Sequence, residues 1–278
     1  MLSSNMNIAR LPAELVLGTA ALGTLAPAEA SKLIRTALSL GVGWIDSTST
    51  EVSSEPQIAN ALHGMKGVRI ATKIAPLDDR DTGIVRRALI DSIYRSCARL
   101  RTDRLDALLL EDARDLKSHA GVVWHTIKHL RDHGVLYDLG VCVREPNEAL
   151  TALNDPDIRH IQIAFAPFDR RWRAPAVAEA LAERPWVTVH ARAAGFPSRI
   201  DAARIADLGR ELGRESSIDL CLAYMRAVDW IDGAVVDIDS LSELTQSRAL
   251  FNRAALTPDE VAAVDKVLAN TPRIYRVA

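Results

Sequence analysis

Short apolar runs alternate with longer amphipathic segments eight times along the chain. The runs are rich in Val, Ile and Leu and do not alternate strictly with polar residues, which is typical of strands buried on both faces of a parallel sheet. The segments between them have helical spacing and helix-boundary residues, such as the segment between Pro27 and Gly41. The eight runs span residues 14–20, 44–47, 68–73, 106–110, 138–143, 160–165, 186–191 and 233–238.

This alternation predicts a single-domain (β/α)8 TIM barrel, because no linker or change of composition divides the 278 residues. A doubly wound open sheet is the alternative. It would need a G-x-G-x-x-G turn after the first strand, whereas residues 18–23 read "GTAALG", with two glycines at the wrong spacing. We expect one domain over residues 1–278, with an N-terminal arm at 1–13 and a C-terminal tail helix within 257–278.

The bulk composition excludes several classes of partner. The net charge is −2 with 25% charged residues, and no basic stretch stands out, so we expect no nucleic-acid partner. No apolar run is long enough to span a bilayer and no signal peptide is recognised, so we expect no membrane partner. Three widely spaced cysteines fit the reducing cytoplasm. We expect a cytoplasmic monomer or homodimer that binds a small molecule.

Charged residues lie at the carboxyl ends of several predicted strands, the face on which barrel active sites form. Asp46 ends the second predicted strand and Lys73 ends the third. Glu111 follows the fourth, and His190 ends the seventh. The alternative for Asp46 and Lys73 is an ion pair that only joins strands, although a buried ion pair is weak support for stability. Glu111 has a similar alternative, a salt bridge to Arg144 or Lys73.

Several segments resemble motifs of the aldo-keto reductase family, in the family's order. They match the opening strand, the loop after the second strand, the strand that delivers a catalytic lysine, and three later motifs. The resemblance covers roughly residues 14–270 and implies a barrel. The segments read "LVLGTAALG", "GVGWIDST…SSEPQIANAL", "VRIATK", "SCARLRTDRLDALLLED", "LRDHGVLYDLGVCV" and "IQIAFAPFDRR".

The resemblance implies roles for four residues near the strand ends. Asp46 matches the aspartate that orients the catalytic lysine, and Lys73 matches that lysine. The position of the family's acid tyrosine is Glu51, and no tyrosine occurs between Asp46 and Lys73. The position of the substrate-orienting histidine is Glu111. Glu51 could replace the tyrosine only as a protonated acid, and Lys73 opposes its protonation.

The positions that hold the cofactor in the family also differ. The glutamine that contacts the nicotinamide is kept as Gln162. Two carboxylates follow the eighth strand, and each would repel a phosphate by roughly 1 kcal/mol at about 4 Å in water. We therefore predict that NADPH binding is weakened or lost and that no cofactor is bound. The alternative is that the protein still uses NADPH. The differing positions are Cys142, Val143, Ala166, Asp237 and Asp239.

These assignments lead to one hypothesis and two alternatives. The hypothesis is a divergent enzyme that acts on a small polar carbonyl- or sugar-like substrate by Lys/Glu acid–base chemistry, without a redox cofactor. The alternatives are an NAD(P)H-dependent reductase with a substitute proton donor, and a non-catalytic binding protein, so enzymatic activity itself stays open. His125, His129 and His133 recur every four residues along one predicted helix, a spacing that can hold zinc. No metal site is predicted, because no carboxylate or cysteine motif completes the ligand set. The predicted catalytic residues are Asp46, Lys73, Glu111 and Glu51, and the predicted substrate-binding residues are His190, Gln162, Glu55 and Arg144.

Overall fold

Eight parallel strands close into a barrel in sequence order, so the predicted (β/α)8 fold is confirmed. The computed structural model describes residues 13–47, 54–77, 81–166, 169–193 and 202–269. Each strand pairs with its neighbours in the sequence, and β8 pairs with β1 to close the barrel. The strands are β1 (Glu14–Gly18), β2 (Trp44–Asp46), β3 (Arg69–Ile74), β4 (Leu105–Leu110), β5 (Leu136–Val143), β6 (Ile158–Phe165), β7 (Thr188–Ala193) and β8 (Gly233–Asp237).

Helices follow the strands and form the outer layer. Two helices lie between β7 and β8 in the sequence, and two more follow β8. Within the described residues, no helix is long and apolar enough to cross a membrane. The helices are α1 (Pro27–Ser39), α2 (Ser54–Leu62), α3 (Thr82–Leu100), α4 (Val122–Asp132), α5 (Pro146–Leu153), α6 (Pro175–Ala182), α7 (Ala202–Glu211), α8 (Ser217–Arg226), α9 (Leu241–Phe251) and α10 (Pro258–Ala269).

Side chains alternate between the helices and the barrel interior along each strand. Leu108 and Leu110 of β4 belong to the large apolar core between the strands and the helices. Ala107 and Leu109 belong instead to a small apolar cluster inside the barrel, together with Trp44 and other residues. Both faces of the strands are therefore buried, which explains why the strand sequences read as continuous apolar runs.

One predicted strand begins too early. The sequence places Trp186 in the seventh strand, but β7 begins at Thr188. The Trp186 side chain is 53% exposed. The guanidinium carbons of Arg159 and Arg184 lie 5.7 and 5.5 Å from the centroid of its ring. An aromatic residue that the pattern assigns to the core is therefore a surface partner in cation–π contacts.

The alternation also fixes which residues face the mouth of the barrel. Each strand supplies one inward-facing position near or just beyond its carboxyl end, two residues beyond a position deeper in the interior. We call this set the upper layer. Gly18 is in register with both Asp46 and Asp237, and Cys142 is in register with Gln162. The upper layer consists of Gly18, Asp46, Lys73, Glu111, Cys142, Gln162, Arg192 and Asp237.

Candidate active site

A buried ion pair lies at the floor of the mouth. The Lys73 ammonium Nζ is 2.7 Å from Oδ1 and 2.6 Å from Oδ2 of Asp46. The two side chains are only 5% and 3% exposed. Lys73 also makes a longer contact of 3.4 Å with the carbonyl oxygen of Ser47. The sequence therefore placed this pair correctly, at the carboxyl ends of two neighbouring strands.

Gln162 joins the ion pair to Cys142 on the next strand. The Gln162 amide Nε2 donates to Asp46 Oδ1 at 2.9 Å, and its Oε1 lies 3.7 Å from Cys142 Sγ. Burial raises the pKa of the Cys142 thiol to about 12, with an opposing effect of Lys73 and further increases from Asp46 and Glu111. The thiol is therefore protonated at neutral pH and is not a nucleophile.

A second ion pair lies at the mouth, separated from Asp46 by β1 alone. Arg192 Nη2 lies 2.7 Å from Asp237 Oδ2, and the two side chains are 45% and 38% exposed. This pair is not predicted from the sequence, because the two residues are 45 positions apart. The signal that could have found it is positional: β7 and β8 are neighbours, and both residues are inward-facing at the strand ends.

Gly18 makes room for this second pair. A Cβ atom at Gly18 would lie 2.3 Å from Asp237 Oδ1 and 3.0 Å from the Asp237 Cα atom. No real Cβ approaches other atoms so closely, so Asp237 would have to move away from Arg192. The glycine is required for close approach between two strands.

The Gly18→Ala variant is expected to lose about 1–3 kcal/mol of unfolding free energy, as is usual for overpacking a close contact. Urea denaturation of the purified protein measures this loss. The matched control is Gly209→Ala in α7, where the nearest atoms to an added Cβ lie 4.0 Å away. The control is expected to gain roughly 0.5–1 kcal/mol from helix propensity. A Gly18→Ala variant as stable as the wild type would contradict the contact.

Glu111 faces the mouth but is not held by either basic residue considered above. Its backbone N–H donates to the Ile74 carbonyl at 3.0 Å, which extends the pairing of β3 and β4. Lys73 forms its salt bridge with Asp46 instead. Arg144 is exposed, and its charge acts on Asp112. Among the described residues, no salt bridge joins Glu111 to Lys73 or Arg144.

The tyrosines do not supply a phenol to the mouth in the described part of the chain. Tyr94 and Tyr137 are 51% and 63% exposed on the outer surface. Tyr224 is buried in α8, and its hydroxyl donates to Asp265 Oδ1 at 2.8 Å. Tyr275 lies outside the described residues. No acid tyrosine therefore replaces the missing one at the mouth, as far as the described residues extend.

His190 is not at the mouth, so its predicted place in the pocket is corrected. It lies two residues before Arg192 on the same inward-facing side, about 7 Å deeper in the barrel. It is fully buried, its ring centroid is 4.4 Å from that of His160, and Trp44 packs edge-on against both rings. The alternation along the strand predicted its side correctly but not its depth.

Both buried imidazoles are neutral. Burial lowers the pKa of His190 to about 3, with smaller effects of the Arg69 and Lys73 charges. Burial, followed by the electrostatic effect of the adjacent His190, also holds the pKa of His160 well below its usual range. Neither ring nitrogen of either residue has a hydrogen-bond partner in the described part of the protein. These histidines therefore form an uncharged layer beneath the candidate site.

Glu55 also lies away from the mouth, which corrects its predicted role as a pocket residue. Its carboxylate is fully buried, 3.4 Å from Thr72 Oγ1 and 3.4 Å from Arg99 Nη1. Thr72 is adjacent in sequence to the inward-facing Lys73 and therefore points outward, toward α2 and α3. Glu55 consequently joins the outer helices to the barrel wall. Glu51, the other predicted carboxylate of this segment, lies outside the described residues.

One of the carboxylates at the end of β8 is neutralised by a cation from β7. Asp237 is paired with Arg192. Asp239 is exposed, and its backbone N–H donates to the Glu243 carboxylate at 2.9 Å, while Ser240 Oγ caps α9. The partial positive charge of the α9 N-terminus lies at this position, and such termini attract anions. At the other differing positions, Val143 and Ala166 are buried apolar residues.

Solved structures with the same fold come from several bacteria. An aldo-keto reductase from Bacillus halodurans, AKR11C1 in its holo form, is 20% identical and aligns over 91% of each chain with a TM-score of 0.74. An aldo-keto reductase from Klebsiella pneumoniae in complex with NADPH is 18% identical, covers 96% of this chain and 95% of that chain, and has a TM-score of 0.72. At these identities the similarity shows the fold.

The prediction that no cofactor is bound is wrong in light of these structures. The Klebsiella pneumoniae protein was solved with NADPH and also with NADP and acetate, the latter with the same coverage and TM-score. The prediction counted the carboxylates of Asp237 and Asp239 and omitted the Arg192 guanidinium that neutralises the first of them. The predicted repulsion of a phosphate therefore did not include the effect of the nearest cation.

Sequence comparison identifies the family directly. No curated protein sequence matches the chain significantly. The sequence model of the Aldo/keto reductase family, however, matches residues 14–269, which is nearly the entire barrel. The chain therefore belongs to the aldo/keto reductase family.

Proposed function

We propose that this protein is an NAD(P)H-dependent oxidoreductase that reduces a small polar carbonyl- or sugar-like compound, with Lys73 in place of the usual phenolic proton donor. The observation that carries the proposal is the hydrogen-bonded unit of Lys73, Asp46 and Gln162 at the floor of the mouth. This unit places a fixed ammonium group where a substrate oxygen would enter.

The residues of the upper layer fit a dinucleotide cofactor. The Arg192 guanidinium and the N-terminus of α9 supply the positive charge that a phosphate requires. Gln162 and Cys142 supply an amide and a thiol for the nicotinamide end. In this structure Cys142 contacts Gln162, and Gln162 donates to Asp46. When bound, the cofactor supplies the hydride for reduction.

Lys73 is suited to stabilise the oxygen of a carbonyl as it becomes an alkoxide. Two of its three N–H groups are directed at Asp46, and only the contact of 3.4 Å to Ser47 engages the other. That remaining N–H can donate to the substrate oxygen and pass its proton to it. Asp46 holds the Lys73 ammonium in a fixed position before the substrate arrives. The upper layer contains no phenol or imidazole to take this role.

We also propose that the protein acts in the cytoplasm. None of the three cysteines, Cys97, Cys142 and Cys221, forms a disulfide. Burial raises the pKa of Cys142 and of Cys221 to about 12, so both thiols are unreactive. Free thiols fit a reducing compartment.

Titration with NADPH, followed by quenching of tryptophan fluorescence, tests the proposal independently of turnover. The wild type is expected to bind NADPH in the micromolar range. Arg192→Met is expected to bind about tenfold more weakly, because one hydrogen bond to a charged group contributes about 1.5 kcal/mol. Asp237→Asn frees the Arg192 charge and is expected to bind more tightly.

The diagnostic result is weaker NADPH binding by Arg192→Met together with tighter NADPH binding by Asp237→Asn. The control is Arg210→Met, which removes a guanidinium that is 74% exposed on α7 and is expected to leave the affinity unchanged. Absence of binding of both NADPH and NADH at millimolar concentration would contradict the proposal. Tight binding without turnover of any carbonyl compound would favour the non-catalytic alternative.

A further inference from the structure

The charges of the upper layer do not balance. Five of its members carry charge, and four of them form two pairs, Asp46 with Lys73 and Arg192 with Asp237. Glu111 is the remaining charged residue. Each pair is neutral, so the layer as a whole has one excess negative charge, and that charge belongs to Glu111.

Among the described residues, no cation forms a salt bridge with Glu111. Arg144, just beyond β5, is exposed, and its charge acts on Asp112. The one ammonium of the layer is bound by both oxygens of Asp46. Arg114, three residues further along, is bound by Asp112 through its Nε and Nη2 atoms. The Glu111 carboxylate is partly buried and close enough to Cys142 to raise the pKa of its thiol, so it faces the interior of the mouth.

A partly buried carboxylate without a counter-charge is unfavourable, and a cationic ligand would remove that cost. Glu111 and Lys73 lie on neighbouring strands. Lys73 is in register with Leu109, so Glu111 is two residues higher, about 7 Å along the strand. The Lys73 ammonium, a hydrogen-bond donor, therefore lies below the Glu111 carboxylate. A small molecule with an oxygen at one end and a cation at the other matches this arrangement.

We propose that the substrate is a small amino ketone or amino aldehyde, whose protonated amine binds Glu111 while its carbonyl oxygen lies at Lys73. This inference rests on the proposed function and specifies its substrate class. In the reaction, hydride adds to the carbonyl carbon, the C=O π electrons pass to oxygen, and the proton from Lys73 completes the hydroxyl group. The products are an amino alcohol and NAD(P)⁺, and the amine keeps its proton throughout.

Two ketones that differ in one group, an ammonium in one and a hydroxyl in the other, test this inference. Aminoacetone carries an ammonium group at pH 7 and hydroxyacetone does not. The wild type is expected to prefer aminoacetone, as measured by the ratio of the two kcat/KM values. In Glu111→Gln this ratio is expected to fall about 10–100-fold, since a hydrogen bond to a charged group is worth about 1.5–3 kcal/mol. Glu183→Gln, which changes an exposed carboxylate just after α6, is the control and keeps the wild-type ratio.

Calorimetric binding of the product provides a readout that needs neither cofactor nor turnover. The wild type is expected to bind 1-amino-2-propanol more tightly than the neutral 1,2-propanediol, and Glu111→Gln is expected to lose this difference. Equal affinity of wild type and Glu111→Gln for the amine overturns the inference. Equal reduction of both ketones by the wild type also overturns it and leaves the proposed function standing. Glu111-dependent amine binding without reduction of either ketone contradicts the proposed function instead.

Discussion

The Lys73→Met variant is expected to lose reductase activity about 10²–10³-fold, the usual cost of removing one donor to a developing oxyanion. It is also expected to lose about 3–5 kcal/mol of unfolding free energy, because one partner of a buried ion pair is removed. Asp46 is only 3% exposed, and Gln162 would be the one remaining side chain that donates to it among the described residues. Turnover and urea denaturation measure the two effects.

The double variant Asp46→Asn/Lys73→Met separates the two effects. It removes the buried negative charge, while Gln162 can still donate to the side-chain amide oxygen introduced at position 46. The free energy of unfolding is expected to recover by about 2–3 kcal/mol relative to Lys73→Met, since a neutral buried pair avoids the desolvation cost. Activity should not recover. Recovery of activity, or a Lys73→Met variant with more than a tenth of wild-type turnover, would contradict the role of Lys73.

The barrel and part of the candidate site could be predicted from local patterns. Strands buried on both faces leave continuous apolar runs, and eight such runs separated by helices specify a closed sheet. Asp46 and Lys73 were predictable as a pair, because they end neighbouring strands on the inward-facing side. Gln162 followed from the family resemblance, and its bond to Asp46 joins residues 116 positions apart.

Depth in the barrel and pairing across it could not be read from the sequence. His190 and Arg192 share one side of β7, and only the structure separates the buried imidazole from the exposed guanidinium. Glu55 lies in the first turn of α2, yet its side chain turns outward to Arg99, which is 44 residues away. The error about the cofactor had the same origin, because the cation beside Asp237 comes from a different strand.

Acid is expected to destabilise this protein strongly through its two buried histidines. The pKa of His190 in the folded state is about 3, and that of His160 is well below its usual range, whereas both are about 6.5 in an unfolded chain. Below pH 6.5 the unfolded state therefore binds two more protons than the folded state. The stabilisation is complete above pH 6.5 and is lost progressively as the pH falls toward 3.

The expected loss is large compared with the stability of a typical domain. Each histidine contributes a slope of about 1.4 kcal/mol per pH unit, so two histidines remove about 4 kcal/mol between pH 7 and pH 5. Equilibrium urea denaturation across this range measures the slope. The His160→Leu/His190→Leu variant keeps nearly the same side-chain volumes and is expected to lose this part of the slope. His190→Leu alone should lose half of it.

The variants also test whether the imidazole nitrogens are unsatisfied. Because the described residues offer these nitrogens no hydrogen-bond partner, leucine removes a buried polar cost, and the variants are expected to be at least as stable as the wild type at pH 7. Replacement of an exposed histidine, as in His125→Gln, controls for general effects of charge. A double variant that keeps the wild-type slope would show that other groups cause the acid sensitivity. A double variant destabilised at pH 7 would instead show that the nitrogens have partners, such as buried water, that leucine cannot replace.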